Sequence, residues 1–242
     1  MLLENKVAIV TGASRGIGKA IAHKLASEGA RVLLTARTEK DLLIGKNEIE
    51  DKGGKADFYT LDVRNESEVK NTVDAIIQKY GVIDILVNNA GISKEMPLVE
   101  MPMSVWDEIL ETNLRSVVLM TKAVLPIMKE RKSGNICNIA SAAGIRGLPG
   151  NTAYSASKAA VVCMSQALGD EIRPYGIRVN TVCPGPTDTE MFRNSERREF
   201  ILKAGGDVFS CDVMANTVLF LVSSLSEGMN SQAIVVRGFN RW

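Results

Sequence analysis

KVAIVTGASRGIGKAIAHKLASEG, residues 6–29, is the stretch whose reading decides the fold. A β-branched run through Thr11 passes directly into a glycine-bearing turn and then into a segment of helical period, predicted as a helix from about Gly16 to Glu28. Within T-G-A-S-R-G-I-G each glycine has its own task. Gly12 permits a tight turn, Gly16 lets backbone approach a pyrophosphate, and Gly18 lets the helix pack close to the strand. Phosphates then meet the free amides of the helix start, where the macrodipole favours negative charge. The bare glycine pattern is weak evidence. Its place at the first strand-to-helix junction points to a dinucleotide site, with Ser14, Arg15 and Ile17 also bordering the cofactor.

Working outward, the same rhythm repeats. RVLLTA precedes a helix from Glu39 to Asp51, ADFYTL one from Glu66 to Tyr80, and IDILVN a longer helical stretch through Arg131. NICNIAS then precedes a helix from about Thr152 to Arg173, IRVNTVC a loop and a helix near Asp212 to Ser223, and QAIVVR closes the series. Runs apolar at nearly every position must be buried on both sides. The pattern therefore predicts a doubly wound α/β Rossmann fold, a seven-stranded parallel sheet with helices on both faces. No repeat, low-complexity tract or linker interrupts the chain, so residues 1–242 are expected to form a single domain. Pro184 to about Ser210 alone lacks clear periodicity and is expected to be a loop that covers the substrate.

Composition narrows the function. With 45% hydrophobic residues in 242, the chain can bury a core without disulfides, and its four cysteines, with no CxxC, are read as reduced. Cys137, Cys163 and Cys183 are expected to be packing side chains. The 29 basic and 28 acidic residues give a net charge of +1 without long like-charge runs, which argues against nucleic acid. No apolar run approaches the ~20 residues of a membrane span, and the first residues are unlike a signal peptide, so the expected location is cytoplasmic. The only histidine, His23, falls within the first helix near the nucleotide turn, which excludes a Ser-His-Asp hydrolase or a multi-histidine metal site, and it is read as an ordinary helix residue. No metal site is expected. The methionines at 96, 101 and 103 are assigned to packing or local surface in preference to a substrate cleft.

The second strand ends Thr35-Ala36-Arg37-Thr38, where an NAD-binding chain of this fold usually offers an acid to the ribose hydroxyls. Arg37, with Arg15, suits a 2′-phosphate instead, so NADP(H) is favoured and NAD(H) is the second choice. Asp62, after the third strand, either accepts from the adenine amino group or serves as a turn residue or helix cap. In NTAYSASKAAV, Tyr154 and Lys158 stand four apart at a helix start, so both project from one face. A phenol titrates near pH ~10, and a neighbouring ammonium is expected to move it toward neutrality, as a general acid or base requires. Ser141 ends the NICNIAS strand, where its hydroxyl could hold the substrate oxygen against the phenol, or cap a turn.

These motifs, TGASRGIG (11–18), LDV (61–63), NNAG (88–91), TN (112–113), NIAS (138–141), YSASK (154–158) and PGPTDT (184–189), resemble the short-chain dehydrogenase/reductase family in its compact form, from Lys6 to about Met191. The resemblance implies a catalytic set of Asn113, Ser141, Tyr154 and Lys158, with Asn113 anchoring a water relay. It also implies that Asn89, Ala90 and Gly91 line the adenosine-ribose side, that Val63 borders the cofactor with Asp62, and that Lys158 binds the nicotinamide ribose. Pro184, Gly185, Thr187 and Thr189 would border the nicotinamide. Homotetrameric relatives pack their tail across a subunit interface, which makes a homotetramer, or a dimer, the expected assembly. Here the tail departs from the usual Val-Asp-Gly-Gly type, reading Val236-Arg237-Gly238-Phe239 and closing on Asn240-Arg241-Trp242.

The function these residues predict is hydride transfer between NADP(H) and a carbonyl or secondary alcohol, first a 3-oxoacyl thioester or a small ketone. An NAD-dependent alcohol or polyol dehydrogenase is the alternative, and a non-catalytic NADP(H) sensor a more distant one. A carrier-protein partner would need basic residues near the cleft, and Lys129, Arg131 and Lys132 are expected to supply some. Tyr175 stands where 3-oxoacyl reductases can carry an arginine.

Overall fold

The computed structural model describes residues 1–238. Its first half is β1 (Val7–Thr11), α1 (Gly16–Ser27), β2 (Arg31–Ala36), α2 (Glu39–Glu50), β3 (Lys55–Thr60), α3 (Glu66–Tyr80) and β4 (Ile85–Asn88). The second half is α4 (Met103–Leu110), α5 (Ser116–Arg131), β5 (Gly134–Ile139), α6 (Thr152–Ile172), β6 (Ile177–Pro184), α7 (Glu190–Arg193), α8 (Arg197–Lys203), α9 (Cys211–Val222) and β7 (Ala233–Val236). The strands form one parallel sheet in the order β3-β2-β1-β4-β5-β6-β7.

Period-2 alternation within each strand explains why both faces are covered. Ala8, Val10, Val32, Leu34, Val87 and Val182 point to the face of α1, α2 and α9, where Ile21, Leu25, Leu42 and Val218 meet them. Their neighbours Val7, Ile9, Leu33, Leu86 and Val179 point the other way, against α3, α5 and α6 through Val73, Val124 and Ile172. Chain order reverses between β1 and β4, so a crevice opens at the C-terminal ends of those strands.

Three departures from the sequence reading stand out. The stretch after Pro184 is not a plain loop, because α7 and α8 lie within it and Thr187 bridges to Phe209. The long helix before Arg131 is broken by a π turn, Glu111–Arg115, which carries Asn113 into the protein interior. Cys163 is exposed rather than packed, because it lies on the outward face of α6, whereas Cys137 and Cys183 are buried in β5 and β6. The expectations about residues 239–242 lie outside the described residues. Among those described, no helix is long and apolar enough to cross a membrane and no metal-ligating cluster occurs.

Candidate active site

A cleft of about 1260 Å³ runs along the C-terminal edge of the sheet. At its nucleotide end stand Gly12, Ser14, Arg15, Gly16 and Ile17 after β1, Arg37 after β2, Asp62 and Val63 after β3, and Asn89, Ala90 and Gly91 after β4. Gly12 and Gly16 adopt φ of +62° and +55°, the left-handed region that glycine occupies without strain. Gly18 stays out of the cleft, and a Cβ there would run into the Gly12 carbonyl and the Asn89 amide. Arg15, which precedes α1, gives no side-chain cap, so the first amides of the helix have no side-chain acceptor.

Thr11 laces the turn to β4 in a way the sequence did not announce. Its hydroxyl accepts from Asn89 N at 2.9 Å and Ala90 N at 3.0 Å, while Asn89 Nδ2 donates to Thr11 O at 2.9 Å. Arg37 is exposed on the cleft wall, and Arg15 makes a 2.7 Å ion pair with Glu190 of α7. Arg64 is a further guanidinium that the sequence reading missed. Its Nε and backbone N each donate to Asp62 Oδ1 at 3.0 Å. These bonds hold the Asp62 carboxyl below the usual carboxylate range, so Asp62 closes its own turn while bordering the cleft. Asp41, in the first turn of α2, also lines the cleft, an acid placed on the helix rather than at the strand end.

At the chemical end, Ser141 leaves β5 with its hydroxyl accepting from Ala143 N at 3.1 Å. Tyr154 and Lys158 rise from the first turns of α6, the Lys158 Nζ lying 5.9 Å from the Tyr154 ring centre. Lys158 is buried, and its Nζ donates to Ile139 O at 2.8 Å. Desolvation lowers its pKa to about 8. Tyr154 moves opposite to the expectation from sequence. Burial raises its pKa, opposed in part by the nearby Ser141 hydroxyl. Asn113 presents Oδ1 to Ile92 N at 2.8 Å and Nδ2 to Ile92 O at 2.9 Å. Gly91 separates it from the lysine, and a Cβ on Gly91 would lie 3.1 Å from Asn113 Oδ1 and 3.3 Å from Lys158 Nζ.

The far wall and roof come from the segment after β6. Pro184, Gly185, Thr187 and Thr189 line the cleft, and the Thr189 hydroxyl caps α7 by accepting from Phe192 N at 3.2 Å. Ser195 donates to Glu95 Oε1 across the cleft at 2.6 Å, so this roof is fastened to the opposite wall. Arg197 borders the same space with its Nε buried and unpaired. The basic residues expected near the cleft are elsewhere. Helices that follow strands run back antiparallel, so Lys129, Arg131 and Lys132 end α5 at the opposite edge, where β5 begins, and Lys129 Nζ sits 4.8 Å above the Tyr175 ring. Met96, Met101 and Met103 do not line the cleft, and His23 lies on α1 beside Glu48 at 3.1 Å.

With this geometry in view, comparison with known proteins is specific. The model of the short chain dehydrogenase family matches residues 6–200. The chain is 39% identical over 242 residues to the 3-oxoacyl-acyl-carrier-protein reductase of Thermotoga maritima, covering 98% of both. It superposes on an actinorhodin polyketide ketoreductase variant solved with NADPH at TM-score 0.91 and 37% identity, covering 97% of this chain and 96% of that one. A levodione reductase matches at TM-score 0.93 and 31% identity, covering 98% and 97%. The chain belongs to the short-chain dehydrogenase/reductase family and is an oxidoreductase of that family.

Proposed function

We propose that this chain is an NADP(H)-dependent reductase that converts a ketone to a secondary alcohol, with 3-oxoacyl thioesters the first substrate class and small ketones the second. The observation that carries this reading is the corner formed by Ser141, Tyr154 and Lys158 at the inner end of a dinucleotide-sized cleft. The cofactor fits the residues present: left-handed glycines, an uncapped α1 start and a position at Gly91 where a Cβ would crowd Asn113 Oδ1 and Lys158 Nζ. The turn from Gly12 to Ile17 would hold the pyrophosphate, Arg15 and Arg37 the 2′-phosphate, and Asp62 and Val63 the adenine. Asn89, Ala90 and Gly91 would flank the adenosine ribose, Lys158 the nicotinamide ribose, and Pro184, Gly185, Thr187 and Thr189 the nicotinamide. When bound, NADP(H) supplies the hydride.

The protein's part is the proton and the orientation. A phenol whose pKa is raised remains protonated at neutral pH, so Tyr154 donates its proton to the carbonyl oxygen as charge develops there. Ser141 holds that oxygen with its hydroxyl. Lys158, fixed by Ile139 O and charged below about pH 8, stabilises the phenolate left behind. Arg197 on the cleft wall adds a positive charge on the roof side, which suits an anionic group of the substrate. Asp41 on the cleft wall supports the second reading, an NAD-dependent alcohol or polyol dehydrogenase. A homo-oligomer, four chains or two, and a cytoplasmic setting complete this reading.

The test is the loss of NADPH absorbance, with NADH in parallel, on adding 3-oxoacyl thioesters, diketones and small sugars to the purified protein. Rapid NADPH oxidation with thioesters is expected. Preference for NADH would overturn the roles of Arg15 and Arg37, and reduction of small ketones without thioester turnover would remove the first substrate class.

A further inference from the structure

We propose that Ser157 is a positioning residue for the reduction, registering the helix turn that carries Tyr154 and Lys158 against the π turn that carries Asn113. The inference rests on the catalytic roles given to those three residues. Ser157 is fully buried in α6, one residue before Lys158. Its hydroxyl donates to Tyr154 O at 2.7 Å and accepts from Asn113 Nδ2 at 3.1 Å. One small side chain thus touches the backbone of the proton donor and the carboxamide of the third member of the set.

The hydrogen-bond inventory of Asn113 shows why this matters. Its two amide protons go to Ile92 O and Ser157 Oγ, and one lone pair of Oδ1 accepts from Ile92 N. A Cβ built on Gly91 would lie 3.1 Å from Oδ1 and 3.3 Å from Lys158 Nζ, so the two groups border the same small space. The Ile92 pair secures Asn113 to the loop after β4, which says nothing about its distance from α6. Among the described residues, Asn113 to Ser157 is the side-chain hydrogen bond that joins Glu111–Arg115 to α6. A π turn adds a residue to the helix ladder and leaves its register to be set by such outside contacts. Without the serine hydroxyl, a buried amide proton loses its acceptor, the carboxamide turns to find another, and the spacing between Oδ1 and Lys158 Nζ is no longer held.

The experiment is a double-mutant cycle of Ser157→Ala and Asn113→Ala, with turnover on whichever ketone the wild-type protein reduces and with NADPH affinity measured separately. Ser157→Ala is expected to lower kcat about tenfold, to leave the NADPH dissociation constant within about threefold, and to add no further loss in the Asn113→Ala background. Ser157→Cys, which keeps a weak donor and acceptor, should recover part of the rate. A readout independent of turnover is the titration of Lys158 in the cofactor-free protein, followed by NMR of its side chain. Its midpoint should move in Ser157→Ala and return toward the wild-type value in Ser157→Cys. Losses that multiply in the double variant, or a wild-type lysine titration in both serine variants with only the melting temperature lowered, would overturn the proposal. Absence of any ketone reduction by the wild-type protein would instead count against the reductase reading, while the lysine titration would still decide the role of Ser157.

Discussion

In the proposed mechanism Tyr154 and Lys158 carry the chemistry, and desolvation pushes both toward neutrality. Replacing Tyr154 by Phe removes the proton donor without disturbing the cofactor cradle. We expect kcat to drop by ~10²–10⁴ with NADPH affinity unchanged by fluorescence titration; retained turnover would remove the phenol from the mechanism. The lysine makes a second prediction through stability. Its folded pKa of about 8 lies below the ordinary 10.5, so the unfolded chain holds more protons between those values and stability rises with pH there. Between pH 7 and 9.5 this group should add about 2 kcal/mol. Urea unfolding of Lys158→Met should lack that rise, and an identical pH dependence in both proteins would contradict the burial of the charge. The pairing of these residues was legible in the four-residue spacing of YSASK. The direction of the Tyr154 shift was not, because it depends on how much water the folded wall removes from the hydroxyl. Thr11 and Ser157 were likewise hidden, since each acts through a partner distant in sequence, Asn89 and Asn113 respectively.

At the scale of elements, strands and long helices followed their periodicity to within a few residues at each end, as VAIVT and the α3 segment illustrate. α7 and α8, with 4 and 7 residues, are too short to leave a repeating apolar stripe, so the segment after Pro184 read as irregular. The π turn was invisible for a related reason, because α4 and α5 share one helical run and a single inserted residue does not erase its period. The roof is fastened by Ser195 to Glu95 and by Arg15 to Glu190. A hydrogen bond of this kind contributes about 1 kcal/mol, or about fivefold in an opening equilibrium. Limited proteolysis of Ser195→Ala should therefore cleave within residues 190–206 severalfold faster than wild type, and equal rates would show that the clasp does not hold the roof.

Across the whole molecule, the cleft exists because β1 and β4 lie side by side with crossovers departing in opposite directions. That arrangement gathers Gly12, Arg37, Asp62, Asn89, Ser141 and Pro184 from six strand ends along one edge, and it sends Lys129, Arg131 and Lys132 to the other. Sedimentation of the purified protein should give about four times the 26.2 kDa chain mass, or twice it, and a lone chain at micromolar concentration would refute the proposed assembly. The glycine turn, the alternation of strand and helix, the Tyr-Lys pair and the basic end of β2 were fixed by local chemistry, since backbone freedom, hydrophobic period and helical spacing are properties of neighbouring residues. The state of the phenol, the fastening of the roof, the place of Asn113 beside Gly91 and the remoteness of the basic end of α5 required the folded chain. Burial, and contacts between segments far apart in the chain such as Ser195 with Glu95 and Arg15 with Glu190, come into being when the sheet brings those segments together.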